Sequence, residues 1–138
     1  MPPLSVALLR GSQVALLLGA ALGALLLAGE PALGGRLPSL RAVHLTLLVF
    51  GWLLPFVLGT AYWMFPRHAV EPVRGHVRLS AVAAGGYWAG LGVRLLGVLL
   101  AGPTLVLLGT LALVGGGGLL VAQLWRRVRP FGAGRIAD

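Results

Sequence analysis

Four apolar runs, at about residues 12–29, 42–65, 79–101 and 104–125, are each long enough to cross the hydrocarbon core of a bilayer. In that solvent a backbone must close its own hydrogen bonds, which leaves only helices and closed barrels. Barrel strands alternate apolar and polar residues over about ten positions, and none of these runs alternates. The chain therefore reads as all-α: one domain over residues 1–138, folded as a four-helix transmembrane bundle in contact with the lipid bilayer. A hydrophobic fraction of 58%, only 10% charged residues and a mean hydropathy of +0.94 leave almost no sequence for a soluble domain.

The net charge of +8 comes from eleven arginines set against Glu30, Glu71 and Asp138. In a soluble protein such an excess points to nucleic acid. Here the arginines flank membrane spans and form no basic stripe interleaved with aromatics, so no nucleic-acid partner is expected. They set orientation instead. With the N-terminus in the cytoplasm, Arg10, Arg67, Arg74, Arg78, Arg126, Arg127, Arg129 and Arg135 fall inside, against Arg36 and Arg41 outside. The positive-inside rule thus favours both termini cytoplasmic by eight to two, in a plasma or inner membrane.

Arg10 followed by an apolar run also looks like a signal peptide. The run is long for one, and Ala28-Gly29 is a poor small-x-small exit, so it is read as a retained span. The absence of cysteine excludes disulfides, thiolate metal sites and thiol nucleophiles.

In the first span Ala15, Gly19 and Gly23 recur four apart, a spacing that lets another helix backbone approach closely. The linker from Glu30 to Arg41, with two prolines and adjacent glycines, reads as an outer turn. The second linker, from Pro66 to Arg78, holds His68, Glu71 and His76. Its histidine spacing matches no ligand motif and its arginines repel a cation, so it reads as a solvated cytoplasmic loop. The third span contains Arg94, about seven residues from its outer end and on the order of 10 Å deep at helical rise. Arg94 either snorkels outward or needs an anion, with Glu30 or a cofactor carboxylate as candidates. Gly115 to Gly118, in succession in the fourth span, mark a kink or a close approach, and helix packing is favoured over a ligand.

Catalysis within a membrane requires carboxylates, a paired nucleophile and base, or clustered ligands inside the spans. None is present, and no Asp or Glu lies in any span. Autonomous pumping or hydrolysis is not expected.

The stretch from Arg41 to Arg67 carries the one histidine inside a span, His44. On an α-helix His44, Leu48, Gly51, Pro55, Gly59 and Tyr62 share a face, since His44 and Tyr62 stand about five whole turns apart. Gly51 and Gly59 lack bulk and Pro55 cannot donate to the helix ladder, so a groove with a kink should run below the histidine. Another helix or something flat should fill it. His44 itself reads in two ways: as a hydrogen bond to a neighbouring helix or interfacial water, or as a haem ligand with an arginine nearby.

Arg41-x-x-His44, an apolar run, Gly51-Trp52, Gly59, Tyr62 and Pro66-Arg67 together resemble the second transmembrane helix of the catalytic subunit of haem–copper oxidases. The nitric oxide reductase and C-type oxidase branches, and small membrane proteins related to them, are most similar. The resemblance covers about 27 residues and extends weakly into the third span. It implies that His44 matches an axial ligand of a low-spin haem b, with Arg41 and Arg94 as propionate partners. This chain departs from the family in having Leu45-Thr46 where Thr-Asn is frequent, and it lacks the later helices that supply the second axial histidine and the catalytic pair.

The resulting expectation is a small, non-catalytic accessory subunit of a respiratory membrane complex, a nitric oxide reductase or terminal oxidase, with other membrane subunits as partners. Two alternatives stand beside it: a haem b protein using His44, and a structural membrane protein or small-solute carrier.

Overall fold

A computed structural model of the chain describes residues 1–29, 34–65, 77–125 and 127–128. Among these residues it is all-helical. Helix α1 spans Pro3–Leu27 and α2 spans Leu37–Met64, led in by a short 3-10 turn at Gly34–Arg36. Helices α3 and α4 span Val77–Leu99 and Pro103–Trp125. All four are long and apolar enough to cross a membrane. They run alternately up and down, so α1 begins, α2 ends, α3 begins and α4 ends at the same end of the bundle.

Prolines open three of these elements. Pro3, Pro38 and Pro103 stand in the first turn of their helices, where the missing amide hydrogen has no intrahelical acceptor to lose. As a result α1 starts at Pro3, well before the expected start of the first span at residue 12. Arg10 is thereby a residue of α1 rather than of a segment ahead of it. At the other boundary α3 ends in a paired cap: the Gly102 amide donates to the Gly97 carbonyl at 2.8 Å and the Ala101 amide to Val98 at 3.4 Å. Ala101 takes the left-handed conformation that this cap requires, with φ 53°.

Two hairpins build the bundle. Helices α3 and α4 share the most intimate seam, with glycines seven apart on both sides. A methyl group on Gly90 would lie 2.5 Å from the Leu113 nitrogen, and one on Gly97 2.6 Å from the Val106 nitrogen. On the facing helix Gly109 abuts the Arg94 backbone, and a methyl group on Gly116 would lie 2.6 Å from the Ala83 carbonyl oxygen. Lipid gives helices no hydrophobic reason to associate, so van der Waals contact at backbone distance supplies the attraction. Of the four consecutive glycines only Gly116 and Gly117 meet α3, while Gly115 and Gly118 face open space. The helix runs through them without a break, so close packing and not a kink is what they serve.

Helices α1 and α2 interlock by a different rule, small against large. Ala15 faces Gly51, Gly19 faces Leu47 and Leu48, and Gly23 faces the His44 ring. The groove of Gly51, Pro55 and Gly59 is thus filled by α1, whose Leu8, Leu9 and Ser5 cover Gly59. Leu95 and Val98 of α3 close over Ala15, Val43 and Leu47, joining the two hairpins. At the opposite end Leu8, Leu58, Tyr62, Ala83, Ala84, Leu120 and Leu124 bring all four helices into one cluster.

The backbone contacts distinguish the glycines of α4 sharply. Gly109→Leu should destabilise the protein by about 3 kcal/mol or more, because a backbone cannot step aside, whereas Gly115→Leu should stay within about 0.5 kcal/mol. Thermal unfolding in mild detergent, followed by circular dichroism, checks both.

Candidate functional site

The chemistry-bearing residues gather on α2, and they do so because its backbone is irregular. Residues Leu47–Leu53 form a π-helical segment, with the Leu54 amide donating to the Val49 carbonyl five residues back. In that register the next donor in line is Pro55, which has no amide hydrogen, so the Phe50 carbonyl loses its partner. Hydrocarbon offers no water in its place. Tyr87 of α3 supplies the bond: its hydroxyl donates to the Phe50 oxygen at 2.6 Å, and its ring is buried to 1% exposure. Trp88 meets the Tyr87 ring edge-on at 6.1 Å and lies over Gly11 of α1.

The same logic recurs at the end of α2. The residue four beyond Tyr62 is Pro66, again without an amide hydrogen, and the Tyr62 carbonyl accepts a bond from the Arg127 guanidinium at 3.2 Å. Arg127 is 3% exposed and stands 4.3 Å over the Tyr62 ring, so it caps the negative end of α2 and stacks on an aromatic face at once.

His44 lies one turn above the π segment, half-buried against α1. Its Nδ1 is 2.8 Å from the Gly19 carbonyl oxygen. A carbonyl only accepts, so Nδ1 carries the proton and, in the neutral ring, Nε2 holds the lone pair. The ring fits because Gly23 is a glycine: a methyl group there would come within 2.7 Å of the imidazole Cε1.

Arg94 is placed on another seam. Its Nη1 donates to the Thr110 hydroxyl of α4 at 2.6 Å, and Thr110 in turn donates to the Val106 carbonyl at 2.6 Å. The guanidinium carbon lies 5.8 Å from the Phe50 ring centre, and Nε is buried without a hydrogen-bond partner. Thr110 also lines an apolar groove of about 520 Å³ between α3 and α4, with Gly97, Val98, Ala101, Pro103, Val106 and Leu107.

His44 and Arg94 thus stand at similar depth but are engaged separately, one in the α1–α2 seam and one in the α3–α4 seam. Arg41 is exposed one turn before His44. As a haem site, this arrangement fits one axial ligand, His44 through Nε2, with Arg41 above it. Arg94 stands apart from them in the α3–α4 seam, with Nη1 bonded to Thr110. Glu30, offered as its anionic partner, lies outside the described residues, as do His68, Glu71 and His76. Among the described residues no three histidines, cysteines or carboxylates come together as a metal site.

Tyr87, Thr110 and Arg127 were not legible as partners from spacing. For Tyr87 and Arg127 the signal is proline, since Pro55 and Pro66 each announce a carbonyl in need of a donor; nothing in the sequence marks Thr110. No protein-family model, curated protein or solved structure matches the chain.

Tyr87→Phe isolates the Phe50 carbonyl without changing packing volume. It should lower stability by roughly 1–2 kcal/mol, seen as a drop in melting temperature in detergent that Trp88→Phe does not reproduce through the same carbonyl. An amide-I shift on isotope-labelling the Phe50 carbonyl reads the lost bond directly.

Proposed function

We propose that the chain is a small accessory subunit of a respiratory membrane complex related to nitric oxide reductases and terminal oxidases, with no active site of its own. One observation carries this reading: the histidine of the oxidase-like helix is engaged in holding α1 against α2 through the Gly19 carbonyl. A ligand helix whose imidazole works as a packing element is what such a protein retains when chemistry resides in its neighbours. Arg94 is likewise occupied by Thr110 and Phe50, which leaves the interior without a poised acid–base pair.

Both termini face the cytoplasm in this reading. With Arg10 counted as part of α1, Arg67, Arg74, Arg78, Arg126, Arg127, Arg129 and Arg135 lie inside against Arg36 and Arg41 outside, seven to two. A reporter active only in the cytoplasm should therefore be active when fused after Asp138 and silent when inserted at Gly35.

A specific feature favours haem b binding as the second reading. The Nδ1 bond to a carbonyl is the outer hydrogen bond that orients a ligating histidine and leaves Nε2 for a metal. If it is correct, purified protein shows a Soret band that His44→Leu abolishes. In the accessory reading no such band accompanies the isolated chain, and respiratory oxidoreductase subunits co-purify after gentle solubilisation. Recovery of the chain alone from such membranes overturns it.

A further inference from the structure

The outward face of α1 holds two polar residues where lipid would be expected. Arg10 and Gln13 are both exposed, and neither makes a hydrogen bond, ion pair or ring contact with any described residue. Their depth follows from the packing. A methyl group on Gly51 would lie 2.7 Å from Ala15 on one side and 3.6 Å from Leu91 on the other, so Ala15 and Leu91 are level. Gly11 beneath Trp88 gives nearly the same register. Helices α1 and α3 run in the same direction, which places Arg10 level with Gly86 and Gln13 level with Ala89. The central residue of α3, Val77–Leu99, is Trp88. By that measure Arg10 lies about 3 Å from mid-span, and by the centre of α1 itself, Ala15 of Pro3–Leu27, about 7.5 Å; Gln13 lies within about 3 Å by both.

A guanidinium and a primary amide at that depth, turned away from the bundle, are held at a large cost unless an acceptor meets them. Gln13, Leu17, Ala20 and Ala24 follow at helical spacing on the same exposed face, and the two alanines let a further helix come close beyond the polar pair. A second copy of this chain does not answer the need. It would set arginine against arginine, and the only acidic residues, Glu30, Glu71 and Asp138, lie outside all four helices.

We infer that this face of α1 docks a transmembrane helix of a different protein, one that carries an aspartate or glutamate within its span, level with Arg10 and Gln13. The inference rests on the accessory-subunit reading for its biological setting, and on Arg10 and Gln13 for the surface. Charge pairing in hydrocarbon gives the contact its specificity, since no other residue type on the partner satisfies the guanidinium as well.

The test places a photo-reactive phenylalanine derivative in the full-length chain in its native membrane, at Leu17 on this face or at Val121, exposed on α4. The Leu17 probe should trap one membrane protein, at a transmembrane segment containing an acidic residue. Arg10→Leu should reduce that adduct at least tenfold and Arg10→Lys should largely retain it. The purified Arg10→Leu chain should melt at or above the wild-type temperature, since its side chain faces outward. Adducts to lipid alone, to a second copy, within the chain or to a helix without an acid overturn the inference. So does an unchanged yield in Arg10→Leu, or a lower melting temperature for that variant. Respiratory subunits trapped only through Val121 would sink this surface while leaving the accessory reading intact; an acidic helix of an unrelated membrane protein trapped at Leu17 would do the reverse.

Discussion

A carbonyl oxygen in hydrocarbon has no water to turn to, and the arrangement of this bundle follows from that constraint. Helix α2 is largely apolar beyond His44, yet prolines at 55 and 66 withdraw two donors that its backbone would ordinarily use. The Phe50 and Tyr62 oxygens are met by Tyr87 from α3 and by Arg127 just beyond α4. His44 bonds the Gly19 oxygen of α1, so α2 is tied by side-chain-to-backbone bonds to each of the other parts of the molecule. Such bonds are directional, and they fix rotation and register where apolar packing alone would let helices slide. The π segment belongs to the same account, because it sets which oxygen Pro55 leaves free.

The two hairpins reach close contact by different means, and the difference has consequences. Between α3 and α4 the glycines bring backbone to backbone, and Gly90, Gly97, Gly109 and Gly116 repeat at the heptad interval of a gently crossing antiparallel pair. Between those glycines Tyr87, Leu91 and Leu113 fill the seam, and Arg94 and Thr110 bridge it. Between α1 and α2 the small residues of one helix receive the large ones of the other, and the seam carries a polar ring, His44, inside it. The first arrangement holds its polar bridge, Arg94 to Thr110, between side chains. The second places a titratable group against a backbone, where changing the ring's bonding would change the fit of the hairpin.

Much of this architecture could be read from residue types and spacing. The four spans were visible as apolar runs, and the face Gly51, Pro55, Gly59 and the series Ala15, Gly19, Gly23 were legible as surfaces of close approach, although only the coordinates show that they meet each other. Other features were beyond a periodicity argument. A π segment adds residues to a turn without any compositional mark, and a tyrosine at mid-span looks the same whether it packs or donates a bond. The start of α1 was obscured for a physical reason. Arg10 resembles a membrane boundary because arginines usually mark one, and only the coordinates show that the helix continues through it to Pro3.

These placements separate what the chain does for itself from what it leaves to a neighbour. The polar groups of its interior, His44, Tyr87, Arg94 and Arg127, are engaged with backbone, hydroxyl and ring partners, so within one copy they act first as fasteners. Arg10 and Gln13 have no such partner among the described residues and stand on the exposed face of α1. An isolated protein gains nothing from polar groups in that position, whereas a subunit gains orientation and selectivity from them. Stability thus depends on the buried set, and the proposed association would depend on the exposed one. His44 belongs to both descriptions only if its Nε2 finds a ligand, since the Nδ1 bond that fastens α1 to α2 is also the bond that would orient the ring toward a metal.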